Sequence, residues 1–141
     1  MKCICLGALT IAGLLPVLGQ GITSATAVRN GQIITFTSEM LPKIEAASIN
    51  LLSGCAYKDL QPKREMADIQ KQDHLRLTFA RPRPIAVPIE AVTVEVKDMV
   101  ISLPLSSGGI WVLTDSGVTY FAKFKPAAAE ELNLLLSQAL R

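Results

Sequence analysis

The sequence predicts an α+β domain in which an antiparallel meander of four to five strands packs against an amphipathic C-terminal helix, preceded by one or two helices. Three observations predict this class. Apolar residues recur at helical spacing between positions 42 and 53, they alternate with polar residues from position 74 onward, and they form one stripe after Pro126. No internal repeat or long linker divides the chain, so a single domain is expected over residues 28–141.

The N-terminal residues have the three-part layout of a secretory signal. Lys2 precedes the apolar run Cys3–Leu15, which a proline then interrupts. The run is shorter than the roughly 20 apolar residues of a membrane-spanning helix, which favours export with cleavage over a retained anchor. Small residues permit cleavage after Gly19 or after Ala27, and the A-x-A pattern favours Ala27. The predicted location is secreted or periplasmic, and the alternative is a membrane anchor formed by an uncleaved N-terminal segment.

Composition indicates an ordinary hydrophobic core without disulfides. Half of the residues are hydrophobic and 18% are charged. Removal of residues 1–27 leaves Cys55 as the single cysteine, so an intramolecular disulfide is impossible in the mature chain. Loss of Lys2 from the 14 basic residues leaves 13 against 12 acidic ones. This near-neutral balance argues against a general nucleic-acid binder.

The first half of the predicted domain contains a short strand and two helices. The strand is expected over Gln32–Thr37. Apolar spacing predicts a helix from about Pro42 to Ser53, stopped by Gly54, with Cys55 continuing its apolar side. A weaker helical pattern covers residues 62–71, with acidic residues near its start and a lysine at its end, as the helix dipole favours.

The second half begins with strand patterns. Polar and apolar residues alternate over 74–79, which predicts a strand with one buried face. Three prolines between positions 82 and 88 remove backbone donors, so this segment is predicted to be a sheet edge or a polyproline-like connection and not a central strand. Valines alternate with polar residues over 92–96, which predicts another strand.

The remaining elements close the predicted meander. Residues 99–105 are expected to form a more buried strand. Residues 110–114 and 118–124 flank a turn in which Gly117 permits a positive φ, which predicts a hairpin. Pro126 stands at the favoured first position of the final helix, whose apolar stripe is expected to lie across the sheet.

Four residues form the predicted partner-binding site: Arg76, Arg81, Arg83 and Trp111. If the arginines share one exposed sheet edge, their forked donors suit a carboxylate, a phosphate or an anionic headgroup. The alternative is that charge and proline protect an edge strand from unwanted pairing. Trp111 belongs to an aromatic group whose outward-facing part would form a sticky patch. The expected partner is a protein or a cell-envelope component, and no nucleic acid is expected.

Candidate catalytic residues are few. His74 is the single histidine of the sequence, so several histidine and cysteine ligands cannot gather around a metal within one mature chain. No glycine motif for phosphate is present, and no cofactor is predicted. The sequence favours an exported, non-catalytic binding or accessory protein. The alternative is a small thiol-dependent or hydrolytic enzyme in which His74 activates Cys55. The competing interpretation is that Cys55 is a small buried hydrophobic residue.

Overall fold

The structure, a computed structural model, describes residues 21–61 and 63–139, without the side chains of residues 60–65. Residues 1–20 of the predicted signal, which was expected over 1–27, lie outside the described residues, as does Pro62. The described strands and helices are β1 (Ile22–Arg29), β2 (Gln32–Thr35), α1 (Leu41–Ser53), β3 (Tyr57–Gln61), α2 (Lys63–Ile69), β4 (His74–Val87), β5 (Val92–Ser102), β6 (Ile110–Thr114), β7 (Gly117–Ala122) and α3 (Pro126–Ala139).

The strands form one antiparallel sheet of seven, in the order β2-β1-β4-β5-β6-β7-β3. The predicted class, a small single α+β domain with a C-terminal helix, is confirmed. The predicted count of four to five strands is wrong, because β1 and β2 add to the meander β4-β5-β6-β7 on one side and β3 adds on the other. The sequence of β3, YKDLQ, shows no clean apolar alternation and owes its strand conformation to pairing with β7.

Strand β1 contains residues that the sequence pattern assigned to the end of the signal. It pairs with β2 on one side and with β4 on the other. Ala25 lies opposite Leu77 and Ala27 opposite Leu75, and both alanines are buried. The predicted start of the mature domain at Val28 therefore falls inside a paired strand.

Helices α1 and α3 cover one face of the sheet, which we call the helix face. Ile44, Ala47 and Leu51 recur at helical spacing and are fully buried, as the sequence predicted for this helix. Leu132 and Leu136 of α3 pack into the same core. Helix α1 begins at Leu41, one residue before its predicted start, and α3 begins at Pro126 as predicted, because the apolar spacing and the prolines define both helices locally.

The opposite face of the sheet, which we call the second face, carries a smaller core. Val100, Trp111 and Val118 pack there beneath Met66 of α2. The predicted helix over residues 62–71 is observed over the shorter range Lys63–Ile69. Alternation along each strand separates this cluster from the larger core under α1 and α3.

Strands β4 and β5 extend beyond their neighbours as a two-stranded arm, residues 83–96. Strand β1 pairs with β4 only as far as Phe79, whereas Arg83 to Val87 pair with β5 alone. The register shifts between Thr78 and Arg83, which marks a bulge where the arm begins. The proline-rich segment is thus the second half of a strand whose first half is central, and only this second half lies at an edge. Proline suits that edge because it has no N–H to leave unpaired.

Candidate functional site

The structure does not bring the four predicted partner-binding residues together. Arg76 aligns with Val100 and lies on the second face. Arg83 aligns with Val96 and lies on the helix face. Arg81 is exposed in the bulge between them, whereas Trp111 is buried in the smaller core. The hypothesis of one continuous arginine edge with an aromatic patch beside it has no support in this arrangement.

Arg76 is held by a forked ion pair with Asp98. Its Nη2 donates to Asp98 Oδ2 at 2.6 Å, its Nε lies 3.2 Å from both carboxylate oxygens, and Nη1 donates to Gln70 Oε1 at 3.4 Å. The hydrogen bond to Asp98 raises the pKa of Arg76 above its usual value, although burial opposes it. These bonds use most of the guanidinium donors, so Arg76 links β4, β5 and the end of α2.

Trp111 is a core residue. Its ring centroid lies 4.7 Å from that of Tyr120, and the side chain is only 8% exposed. Its buried Nε1 has no hydrogen-bond partner in the structure as described. Tyr57, 39% exposed, is the aromatic side chain that reaches solvent beside this cluster, where it meets Tyr120 edge-on. Trp111 therefore offers little exposed surface to a partner.

Arg83 lines a cleft between α1, the start of β1 and the arm. The cleft encloses about 450 Å³. Its lining residues are mostly apolar, and two of them, Arg83 and Glu45, form an ion pair. We call it the Arg83 cleft, and it is lined by Gly21, Ile22, Ser38, Leu41, Pro42, Glu45, Ala46, Ile49 and Arg83. A partly apolar concavity of a few hundred Å³ with few convergent polar groups is typical of a binding site.

Glu45 organises the polar part of the Arg83 cleft. Arg83 Nη1 donates to Glu45 Oε2 at 2.6 Å, and the backbone N–H of Ile22 donates to Glu45 Oε1 at 3.2 Å. The side chains of Arg83 and Glu45 are 32% and 14% exposed. Both carboxylate oxygens are thus occupied, whereas Nε and Nη2 of Arg83 donate to no side chain or carbonyl in the described residues. These donors belong to a half-buried residue that lines the cleft, and they suit an acceptor such as a carboxylate or a carbonyl.

The sequence analysis missed Glu45. A sequence pattern does point to Glu45. Leu41, Glu45 and Ile49 stand four residues apart and therefore share one side of α1. An acidic residue between two apolar ones on a helix side is half-buried when a cation from another element reaches it. No sequence pattern shows that this cation is Arg83, since the pair joins residues 38 positions apart.

Cys55 and His74 are separated by the sheet. Cys55 packs in the core under the helices together with Leu75, and His74, the neighbour of Leu75 in β4, points to the opposite face. Burial raises the pKa of the Cys55 thiol to about 12, with a smaller contribution from Glu90. His74 is buried rather than exposed as its strand position suggested, and its Nδ1 donates to the Gln72 carbonyl at 2.8 Å. This arrangement gives no support to a thiolate activated by His74.

Neither a metal-ligand cluster nor a membrane-spanning helix is found among the residues that the structure describes. Across residues 21–61 and 63–139, the side chains of histidine, cysteine, aspartate and glutamate form no group of three or more able to hold a metal ion. The helices within the same ranges are all too short or too polar to cross a bilayer.

Comparisons with protein-family models, curated proteins and solved structures find no match to this chain.

Proposed function

We propose that this protein is an exported, non-catalytic binding protein that holds a partner protein in the Arg83 cleft. The observation that carries the proposal is the pairing of a largely apolar cleft with a guanidinium whose Nε and Nη2 donate to no group among residues 21–61 and 63–139. Because Glu45 holds Arg83 in place, the free donors are positioned before a partner arrives, which lowers the entropy cost of binding.

The chemistry of the cleft favours an extended, apolar segment of the partner. Leu41, Pro42 and Ile49 offer apolar contact, and Arg83 offers two directed donors to a carboxylate or a main-chain carbonyl. Arg81, two residues earlier on the same exposed segment, adds positive charge that attracts an acidic flank. Of the four residues that the sequence singled out for partner binding, Arg81 and Arg83 belong to this proposal.

The N-terminal sequence supports export to a secreted or periplasmic location. Lys2, the apolar run and the small residues that follow have the order of a cleavable signal. The competing proposal, anchoring through an uncleaved N-terminal segment, predicts that the protein stays with the membrane fraction after washing at high salt. A protein released from the cell or periplasm without detergent supports export with cleavage.

The test is position-specific crosslinking in the compartment where the protein works. A photoreactive phenylalanine analogue replaces Ala46, an exposed residue that lines the Arg83 cleft. The same analogue replaces Ala67 in a matched control, because Ala67 is an exposed helical alanine on α2, across the sheet. The expected result is a discrete protein adduct at position 46 that is absent at position 67.

A second substitution connects the adduct with Arg83. Arg83→Lys keeps the charge beside Glu45 but removes the forked donors, so we expect at least a fivefold loss of adduct with the fold intact by circular dichroism. Equal adducts at positions 46 and 67, or an adduct at position 46 that Arg83→Lys does not change, would contradict the proposed cleft. Adducts confined to position 67 would move the binding surface to the second face.

A further inference from the structure

We propose that the signal is cleaved between Gly19 and Gln20 and not after Ala27, so that the mature protein retains the whole of β1. This inference rests on the proposed export, because it concerns the place of cleavage. The sequence allowed both positions by the small-residue rule and favoured the second. The fold reverses that preference.

Cleavage after Ala27 would remove six of the eight residues of β1. The lost residues include Ala25 and Ala27, whose side chains are 4% and 2% exposed and contribute to the main core. They face Leu77 and Leu75, both fully buried. A chain that begins at Val28 would expose these leucines to water, and a buried leucine contributes on the order of 2 kcal/mol when it leaves water.

The same cleavage would break the pairing of two further strands. Among the described strands β2 pairs with β1 alone, so it would lose its place in the sheet. The first half of β4, residues 74–79, would become an open edge with unpaired backbone donors and acceptors. Long unpaired edges of this kind promote aggregation, which natural sheets avoid.

Cleavage after Gly19 preserves every one of these contacts. The chain would begin at Gln20, one residue before the first described contact, in which the Gly21 carbonyl accepts a hydrogen bond from the Ala80 N–H at 3.1 Å. The N–H of Ile22 would still donate to Glu45 Oε1, and Ile22 would still line the Arg83 cleft. Val17 and Gly19 are the small residues that cleavage at this bond requires.

The first test is the intact mass of the exported protein. The inference is supported by a mass equal to that of the chain that begins at Gln20. The mass of the same chain after Gln20 has cyclised with loss of ammonia supports it equally. A mass that begins at Ile22 or at any later residue, Val28 included, overturns the inference and leaves the proposed export standing. A 141-residue mass in the cell interior or the membrane overturns the proposed export and cleavage together.

The second test is independent of the export machinery. Two chains, residues 20–141 and 28–141, are produced without the signal and melted while circular dichroism and Trp111 fluorescence are recorded. The expected result is a cooperative melt for the chain from Gln20 and the loss of that transition for the chain from Val28. Equal melting temperatures for the two chains would overturn the structural argument.

A substitution at the proposed bond completes the comparison. Gly19→Tyr places a bulky side chain next to the scissile bond and changes no residue of β1, which begins at Ile22, so it tests processing. The expected result is loss of the Gln20 product, with the precursor accumulating. Unchanged processing of Gly19→Tyr would overturn the assignment to this bond.

Discussion

Arg76 and Arg83, seven residues apart on one strand, lie on opposite faces of the sheet. Arg76 pairs with Asp98 on the second face, whereas Arg83 pairs with Glu45 of α1 on the helix face. The odd separation places them there, because side chains alternate between the two faces along β4. One arginine therefore stabilises the junction of β4, β5 and α2, and the other lines the Arg83 cleft.

Loss of Arg83 should cost stability as well as binding. Arg83→Ala leaves the half-buried Glu45 carboxylate without its cation, so we expect the free energy of unfolding to fall by about 1–3 kcal/mol. Urea unfolding followed by Trp111 fluorescence measures the change. Arg83→Lys retains a charge beside Glu45 and should lose less than half as much. An equal loss in both variants would mean that the guanidinium's hydrogen-bond geometry, and not its charge alone, provides the stabilisation.

The Arg76–Asp98 pair should show strong coupling in a double-mutant cycle. Arg76→Met leaves Asp98, which is only 8% exposed, without its main partner, so the single change should cost about 2–4 kcal/mol. The double variant Arg76→Met, Asp98→Leu removes both charges and should recover most of that loss. Additive losses in the urea midpoints of the single and double variants would contradict the coupling.

The Cys55 thiol should be unreactive in the folded protein. Its pKa, raised to about 12 by burial, keeps it protonated at neutral pH, and a neutral thiol is a poor nucleophile. Alkylation by iodoacetamide at pH 8 should follow global unfolding, as measured by mass spectrometry with and without denaturant. Rapid modification of the native protein would return the enzyme hypothesis of Cys55 and His74 to consideration.

The raised pKa of the Cys55 thiol makes the free energy of unfolding depend on pH in the alkaline range. The unfolded thiol loses its proton near pH 9.0, whereas the folded thiol keeps it until about pH 12. The Cys55 contribution is therefore complete below pH 9 and decreases as the pH rises toward 12. Comparison with Cys55→Ala isolates it, because the variant lacks this titration. Parallel pH profiles for the two proteins would show that the thiol pKa is not raised.

Gly109 should not accept a side chain. A Cβ added at Gly109 would overlap the ring of Tyr120, and moving that ring would disturb its contacts with Trp111 and Tyr57. We expect Gly109→Ala to lower the free energy of unfolding by about 1–3 kcal/mol, the usual range for overpacking. Gly109→Ala combined with Tyr120→Ala should lose less than the sum of the two single changes. Strict additivity in thermal melts would contradict this contact.

Sequence periodicity was sufficient to predict the helices and strands whose own residues show helical spacing or alternation. Helices α1 and α3 have apolar residues at helical spacing and prolines at their starts, and β6 and β7 flank a turn whose Gly117 adopts a φ of 126°. Strand β1 was hidden because its small, mildly apolar residues fit a cleavage signal equally well. Strand β3 was hidden because it lacks alternation and depends on β7.

The sequence by itself determined the class of the domain, its two long helices and its C-terminal hairpin, because these depend on local spacing and composition. Only the tertiary structure decided that Glu45 meets Arg83, that the sheet separates His74 from Cys55, and that Ala25 and Ala27 belong to the core. Such contacts join residues far apart in the chain, and their energies depend on strand register and burial, which hydrophobic periodicity does not encode.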